Sequence, residues 1–324
     1  MKHWSKSTKT PATATSVPSA AAPTRHAFSV DVEDYYHVSA FEKVVSRADW
    51  EGYASRVAGN TERLLELLDR HGVRATFFVL GWVAERHPRL VRAIHRRGHE
   101  IGCHGYWHRL VYSQSPAEFR SDLIQGRDVL QDLIGEAVVS YRAPSFSIVR
   151  RSWWALEILA DEGFRIDSSI VPARHDRYGV PGAPRQPHRI DTDAGPIWEV
   201  SPAVVRLGPL ALPVGGGGYF RLFPLWWTFH CLRGIERRGL PIVFYVHPWE
   251  IDPAQPRIAG AALRSRFRHY VHLSTTAAKL DRLLGRFRFG PLADVVAAAA
   301  GTDAAVRSTA LHPPERTAPC ERTT

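Results

Sequence analysis

Cysteine is scarce in this chain of 324 residues: Cys103, Cys231 and Cys320 are the only three, and no Cys-x-x-Cys occurs. An odd, widely spaced set excludes a disulfide framework and a cysteine zinc finger, and a reducing compartment is the simpler reading. Nowhere does an apolar stretch approach the roughly 18 residues that suggest a membrane span. The first 25 residues hold Lys2, Lys6 and Lys9 but no Leu, Ile or Phe, so the apolar part of a secretory signal is missing. We read residues 1–25 as a disordered arm and expect a cytoplasmic protein, at most peripheral to the inner membrane. No internal repeat is visible.

Acidic residues are outnumbered, 32 against 42 basic ones, for a net charge of +10. Four of the basic residues (Lys2, Lys6, Lys9, Arg25) lie in the arm, which has no acid. The bland reading is a basic soluble protein. The functional one is attraction to an anionic partner such as an acidic polysaccharide or a phospholipid surface. No basic helix with groove-reading residues stands out, so nucleic acid is not expected as a partner. At 44% hydrophobic and 23% charged residues, the chain can bury a sizeable core.

Short β-branched and aromatic runs alternate with helical stretches. Strands are expected at 27–32, 74–80, 99–103, 138–144, 164–169 and 241–247. Helices are expected at 61–70, 83–97, 116–134, 152–162, 224–238 and 275–285. Residues 172–220 are dense in Pro and Gly, with strands expected at 197–202 and 210–214. From about 297 the composition reads as a tail. Alternating strand and helix predicts an α/β fold with parallel strands, whose reactive residues gather at the strand ends.

Polar residues do gather there. Asp31-Val-Glu33-Asp34 closes an apolar strand, and three carboxylates in four residues repel one another unless a cation compensates. In His104-Gly-Tyr-Trp-His108, two imidazoles four apart can hold one metal ion. Alone, either cluster also reads as a solvated turn or loop. Together they supply two His and a carboxylate, a ligand set that leaves room for substrate. A further carboxylate can act as base, Arg142 can restrain it, and His247 can protonate a leaving amine. Residues i and i+2 of a strand share a face, which favours Glu33 as the ligand beside Asp31. A turn beginning at Glu33 would favour Asp34 instead.

The motifs in order (Asp31-Val-Glu-Asp34, Thr76-Phe-Phe, His99-Glu-Ile-Gly-Cys-His104-Gly-Tyr-Trp-His108, Tyr141-Arg-Ala-Pro144, Phe164-Arg-Ile-Asp167, Tyr245-Val-His247-Pro-Trp249-Glu) resemble the NodB-homology polysaccharide deacetylases, carbohydrate esterase family four. Gly216-Gly-Gly-Tyr219-Phe-Arg221 and His247-Pro-Trp-Glu-Ile-Asp252 resemble a narrower branch. That branch is similar to peptidoglycan-deacetylase-like and allantoinase-like enzymes, is associated with exosortase-linked exopolysaccharide loci, and carries a C-terminal extension, here about 205–295. The resemblance implies a distorted (β/α) barrel over about 26–301, with a tail from 302 to 324. It also implies a divalent metal, usually zinc, and an N-acetylated glycan as substrate. Residue by residue, Asp31 matches the base, His104 and His108 the metal ligands, Arg142 and Pro144 the arginine motif, Asp167 the following aspartate and His247 the acid. Gly105 departs from the family's Ser or Thr.

Trp107 and Trp249, next to motif histidines, are candidate sugar-stacking residues, as is Tyr219 beside the glycine run; core packing is the alternative. Pro144 is a candidate substrate contact. A deacetylase is the leading expectation. A cyclic-amide hydrolase of the allantoinase type and a catalytically silent sugar-binding module are the alternatives.

Overall fold

The computed structural model describes residues 26–208 and 210–301. The arm at 1–25 and the tail at 302–324 lie outside the described residues. In chain order the elements are β1 (His26–Val32), α1 (Val57–Arg70), β2 (Thr76–Val79), α2 (Gly81–Arg86), α3 (Pro88–Arg96), β3 (Glu100–Cys103), α4 (Pro116–Ile134), β4 (Ser140–Tyr141), α5 (Trp154–Asp161) and β5 (Ile166–Asp167). Then follow β6 (His188–Thr192), β7 (Gly195–Glu199), β8 (Val204–Leu207), β9 (Leu210–Pro213), α6 (Gly217–Leu222), α7 (Leu225–Glu236), β10 (Val243–Val246), α8 (Leu263–Tyr270), α9 (Leu273–Leu284), β11 (Phe289–Gly290) and α10 (Leu292–Gly301).

The main sheet has the order β10-β1-β2-β3-β4-β5-β7-β6, with β11 also on β1. It is parallel from β10 to β7, and β6 returns antiparallel as a hairpin with β7. The result is a curled half-barrel rather than a closed one, in keeping with the expected distorted barrel. Every residue of β1 is buried, because a parallel strand in the middle of such a sheet is covered on both faces.

Strand alternation divides those residues. Phe28, Val30 and Val32 point outward into the large core shared with Leu64, Leu68 and Phe244. Ala27 points inward to a second cluster with Phe78, Ile166, Val243, Leu292 and Val295. α10 therefore closes the interior of the half-barrel from below, and the Leu292 amide is capped by Thr76 Oγ1 at 2.8 Å. This corrects the expectation of a tail from 297: residues 297–301 belong to a packed helix.

Other elements depart from expectation too. The single helix expected over 83–97 is two, because Pro88 has no amide to continue the first and starts the second instead. The strand expected at 138–144 pairs only over Ser140–Tyr141 before Ala143 and Pro144 turn it. The β6 strand and α8 lie outside the elements the sequence predicts. By contrast α4 has its expected limits. Ser115 and Glu118 form a reciprocal cap at one end, and Gly135 in the left-handed conformation closes the other. Among the described residues no helix is long and apolar enough to cross a membrane.

Candidate active site

The inward-facing residues at the strand ends converge on one cleft of ≈ 530 Å³, with Asp31, Glu33, His104, His108 and His247 on its wall. Alternation explains who is there. On β1, Ser29 and Asp31 share the inner face; on β10, Val243 and Tyr245 do, and His247 continues the series. The strand β3 brings Gly102 and then His104 to the same side. A side chain at Gly102 would lie 2.5 Å from the Phe78 ring, so only glycine lets that ring fill the space beneath the site.

Arg142 anchors the floor. It is fully buried, and its Nη1 donates to Asp31 Oδ1 and to Ser29 Oγ, each at 2.7 Å. Its Nη2 donates to Ser168 Oγ at 2.8 Å and its Nε to the Ser168 carbonyl at 3.1 Å. Its guanidinium stacks 4.3 Å from the Phe78 ring. One oxygen of Asp31 is thereby fixed and the other, Oδ2, faces His247 Nε2 at 3.8 Å.

Glu33, His104 and His108 place one ligand-type atom each within 4.8 Å of one another, all three buried. This is a possible metal-binding triad. Two observations fit an ion there. His104 spends Nδ1 on the Arg142 carbonyl at 2.7 Å, which leaves Nε2 for the cluster. Glu33 Oε2, although 2.7 Å from His108 Nε2, is a buried oxygen without an aligned hydrogen bond. Burial pushes the His104 imidazole down to about 4, which keeps it neutral as a ligand must be. Burial opposes ionisation of Glu33, but His108 and His247 outweigh it and hold the carboxyl well below the usual range.

Asp34 does not join the triad. The chain turns at Glu33, whose amide reaches the Asp31 carbonyl at 3.0 Å, and the longer glutamate side chain bends back into the cleft. Asp34 points to the start of α1 and accepts from the amides of Arg56 and Val57 at 2.7 and 3.0 Å and from Ser55 Oγ at 2.9 Å. Asp34→Ala is expected to lower unfolding stability by about 1–3 kcal/mol, since buried donors lose their acceptor. Metal content should stay unchanged; denaturant titration and elemental analysis check both.

The expected aspartate at 167 also lies elsewhere. Ile166 and Ser168 face the interior, so Asp167 between them faces outward. There it sits in register with Glu199 of β7. Burial raises Asp167 to about 6, and burial together with Asp167 raises Glu199 well above its ordinary value. This is a buried pair of carboxyls behind the sheet, and it is Ser168 rather than Asp167 that meets Arg142.

Of the proposed sugar contacts, Tyr219 lines the cleft. Trp249 does too, but it is buried and stacked on both His247 and His269, with ring centroids 5.0 and 4.1 Å away. Its faces are taken, and it offers only Nε1, 3.3 Å from Glu33 Oε1. Trp107 packs beside Trp50 and Tyr106, off the cleft wall, and Pro144 is buried beneath Ser145 and Phe146, which do line it. Gly105, at φ 73°, would drive a side chain to 2.7 Å from Asp122 Oδ2. That carboxylate accepts from the amides of Tyr106 and Trp107 at 2.9 and 3.1 Å and so shapes the histidine loop.

Two site residues had gone unassigned. Glu250 Oε1 accepts from His247 Nδ1 at 2.7 Å, and Arg221 Nε donates to Glu250 Oε2 at 2.7 Å. Arg221 is itself held by the carbonyls of Arg268, His269 and Val271. Both residues lie in the Gly216–Arg221 and His247–Asp252 blocks, so the only sequence signal was their place in those motifs. Burial favours a neutral His247, but Glu33 and Glu250 outweigh it and raise the imidazole to about 9. Burial opposes ionisation of Glu250, yet Arg221 and His247 lower it to about 2.

Comparison with known proteins falls into two segments. Residues 51–163 match the family model Polysaccharide deacetylase, and residues 168–297 match a domain of unknown function, DUF3473. The peptidoglycan-N-acetylglucosamine deacetylase of Bacillus cereus is 37% identical over 98 residues, which is 30% of this chain and 36% of that protein. The chain thus spans about a third of that relative's length. A Mycobacterium smegmatis crystal structure named for the polysaccharide deacetylases superposes with a TM-score of 0.60 at 21% identity, covering 90% of this chain and 95% of that one. The Puue allantoinase structure superposes with a TM-score of 0.56 at 15% identity, covering 88% and 93%. These two likenesses establish the fold. The cleft draws on both matched segments and on β1, which precedes them: His104, His108 and Arg142 come from the first, and Arg221, His247 and Glu250 from the second.

Proposed function

We propose that this chain, which carries a polysaccharide deacetylase domain followed by a domain of unknown function, is a metal-dependent hydrolase that removes N-acetyl groups from a polysaccharide or lipid-linked sugar in exopolysaccharide or cell-envelope synthesis. The observation that carries the reading is the Glu33–His104–His108 cluster with Asp31 and His247 on the same cleft wall. A silent sugar binder has no use for a base and an acid around a ligand triad.

A divalent ion, zinc in the first instance, would be held by Glu33, His104 and His108, and when bound it would polarise the acetamide carbonyl and acidify a water. Asp31, fixed on one oxygen by Arg142, presents the other to accept that water's proton. His247 presents Nε2 to the cleft because Nδ1 is tied to Glu250, and it delivers a proton to the leaving nitrogen. Glu250 and Arg221 are positioning residues. They set the ring's orientation and keep it charged.

His104→Ala is expected to lose both the metal, by elemental analysis of the purified protein, and acetate release from an N-acetylated glycan. Retention of both would sink the proposal. A panel setting acetylated glycans against cyclic ureides separates deacetylase from allantoinase-type chemistry, and turnover of the ureides alone would replace this reading with the second. Glu250→Gln removes a charge that raises His247, so the alkaline limb of the kcat/KM profile should move to lower pH. A limb that stays in place would reduce Glu250 to packing.

A further inference from the structure

Above the catalytic floor the cleft changes character. Arg177, Arg264 and Arg268 line it, all exposed, with Tyr219 and Phe267 among them. Asp31 and Glu33 at the floor are the only carboxylates on the cleft wall among the described residues. Arg268 has a distant partner in Asp176 at 3.9 Å, and Asp176 is shared with His175 at 2.9 Å. For Arg177 and Arg264 no ion pair is present among the described residues. Arg264 and Arg268 stand four apart on α8, where like charges repel. Burial holds His175, between these groups, below its ordinary pKa; Asp176 opposes this, while Arg268, Arg177 and Arg264 reinforce it. A cleft wall of one sign focuses its field on whatever enters.

We propose that Arg177, Arg264 and Arg268 form a subsite for an anionic group, a carboxylate or a phosphate, on the glycan whose acetyl group lies at the triad. The inference deepens the deacetylase reading and rests on it. It names the substrate class as a negatively charged saccharide. Three cations converge on one wall, two of them uncompensated, and that wall is continuous with the reaction site. Phe267, 61% exposed, and Tyr219 give sugar rings an apolar surface between the charges.

The test is a calorimetric binding series on the full chain with three oligosaccharides of equal length. One is a neutral N-acetylglucosamine oligomer, one alternates N-acetylglucosamine with glucuronate, and one is the neutral oligomer with a terminal 1-phosphate. At low salt at least one anionic oligomer should bind about tenfold more tightly than the neutral one, and added salt should erode the advantage. The arm that shows it identifies the carboxylate or the phosphate. Arg177→Gln and Arg264→Gln should each reduce the advantage by roughly two- to fivefold, and Arg264→Lys should largely keep it. Equal binding of all three oligomers, or an advantage untouched by the Gln variants, would overturn the subsite. So would arginine-dependent binding to anionic phospholipid vesicles without any glycan preference, which would assign the patch to a membrane surface. Acetate release is measured in parallel. A charge preference without release fells the deacetylase reading alone, and release without a preference fells the subsite alone.

Discussion

Asp31→Asn is expected to lower turnover by roughly 10²–10⁴-fold while the purified protein keeps its metal. The side chain is buried and close to the ligand cluster, yet it is not a member of it: the triad atoms come from Glu33, His104 and His108. Asp31 Oδ1 is committed to Arg142, so the substitution keeps an acceptor there and replaces the free oxygen with an amide that cannot take a proton. Arg142 also loses its nearest counter-charge in a buried setting, so stability should fall as well. Unfolding measured beside activity separates the two effects, because a folded, metal-loaded and inactive variant is the expected outcome. Metal loss in Asp31→Asn would reverse the roles assigned to Asp31 and Glu33.

The second large effect is expected at His247. An amide nitrogen leaves poorly until it is protonated, whereas the leaving group of an activated ester needs little help. His247→Ala should therefore retain metal and fold, lose most acetate release from an N-acetyl substrate, and lose much less on an activated acetyl ester. Burial opposes the charged imidazole, but Glu33 and the hydrogen-bonded Glu250 outweigh it and raise His247 above its ordinary value, which favours the protonated form an acid needs. Equal losses on the two substrates would show that His247 holds the site's shape, through its stack on Trp249, rather than supplying a proton.

Much of this arrangement could be read from the sequence because the strands carry it plainly. A polar residue every second position within an apolar run, as at Ser29 and Asp31 or Tyr245 and His247, places the polar set on one face. What stayed hidden depended on parity, reach or partners far along the chain. Asp167 ends a strand, but its neighbours Ile166 and Ser168 own the inner face. Between Glu33 and Asp34 the sequence left two readings open. The turn does begin at Glu33, and side-chain length sends that residue back to the cleft while Asp34 caps α1. Trp107 and Trp249 sit beside motif histidines in sequence, yet core packing claims one and ring stacking the other. The support that Arg221 gives Glu250 joins residues 29 apart, with α7 and β10 between them, so no local pattern couples the two.

The pairing of β1 with β10 has a consequence for synthesis. Ala27 finds its partner Val243 only after more than 200 further residues have been made, which at ribosomal rates is on the order of 10–40 s. During that interval the β10-side edge of β1 is an unsatisfied template flanked by Phe28 and Val30. β2 pairs with the opposite edge of β1, so the β10-side edge stays open to a foreign strand until β10 itself arrives.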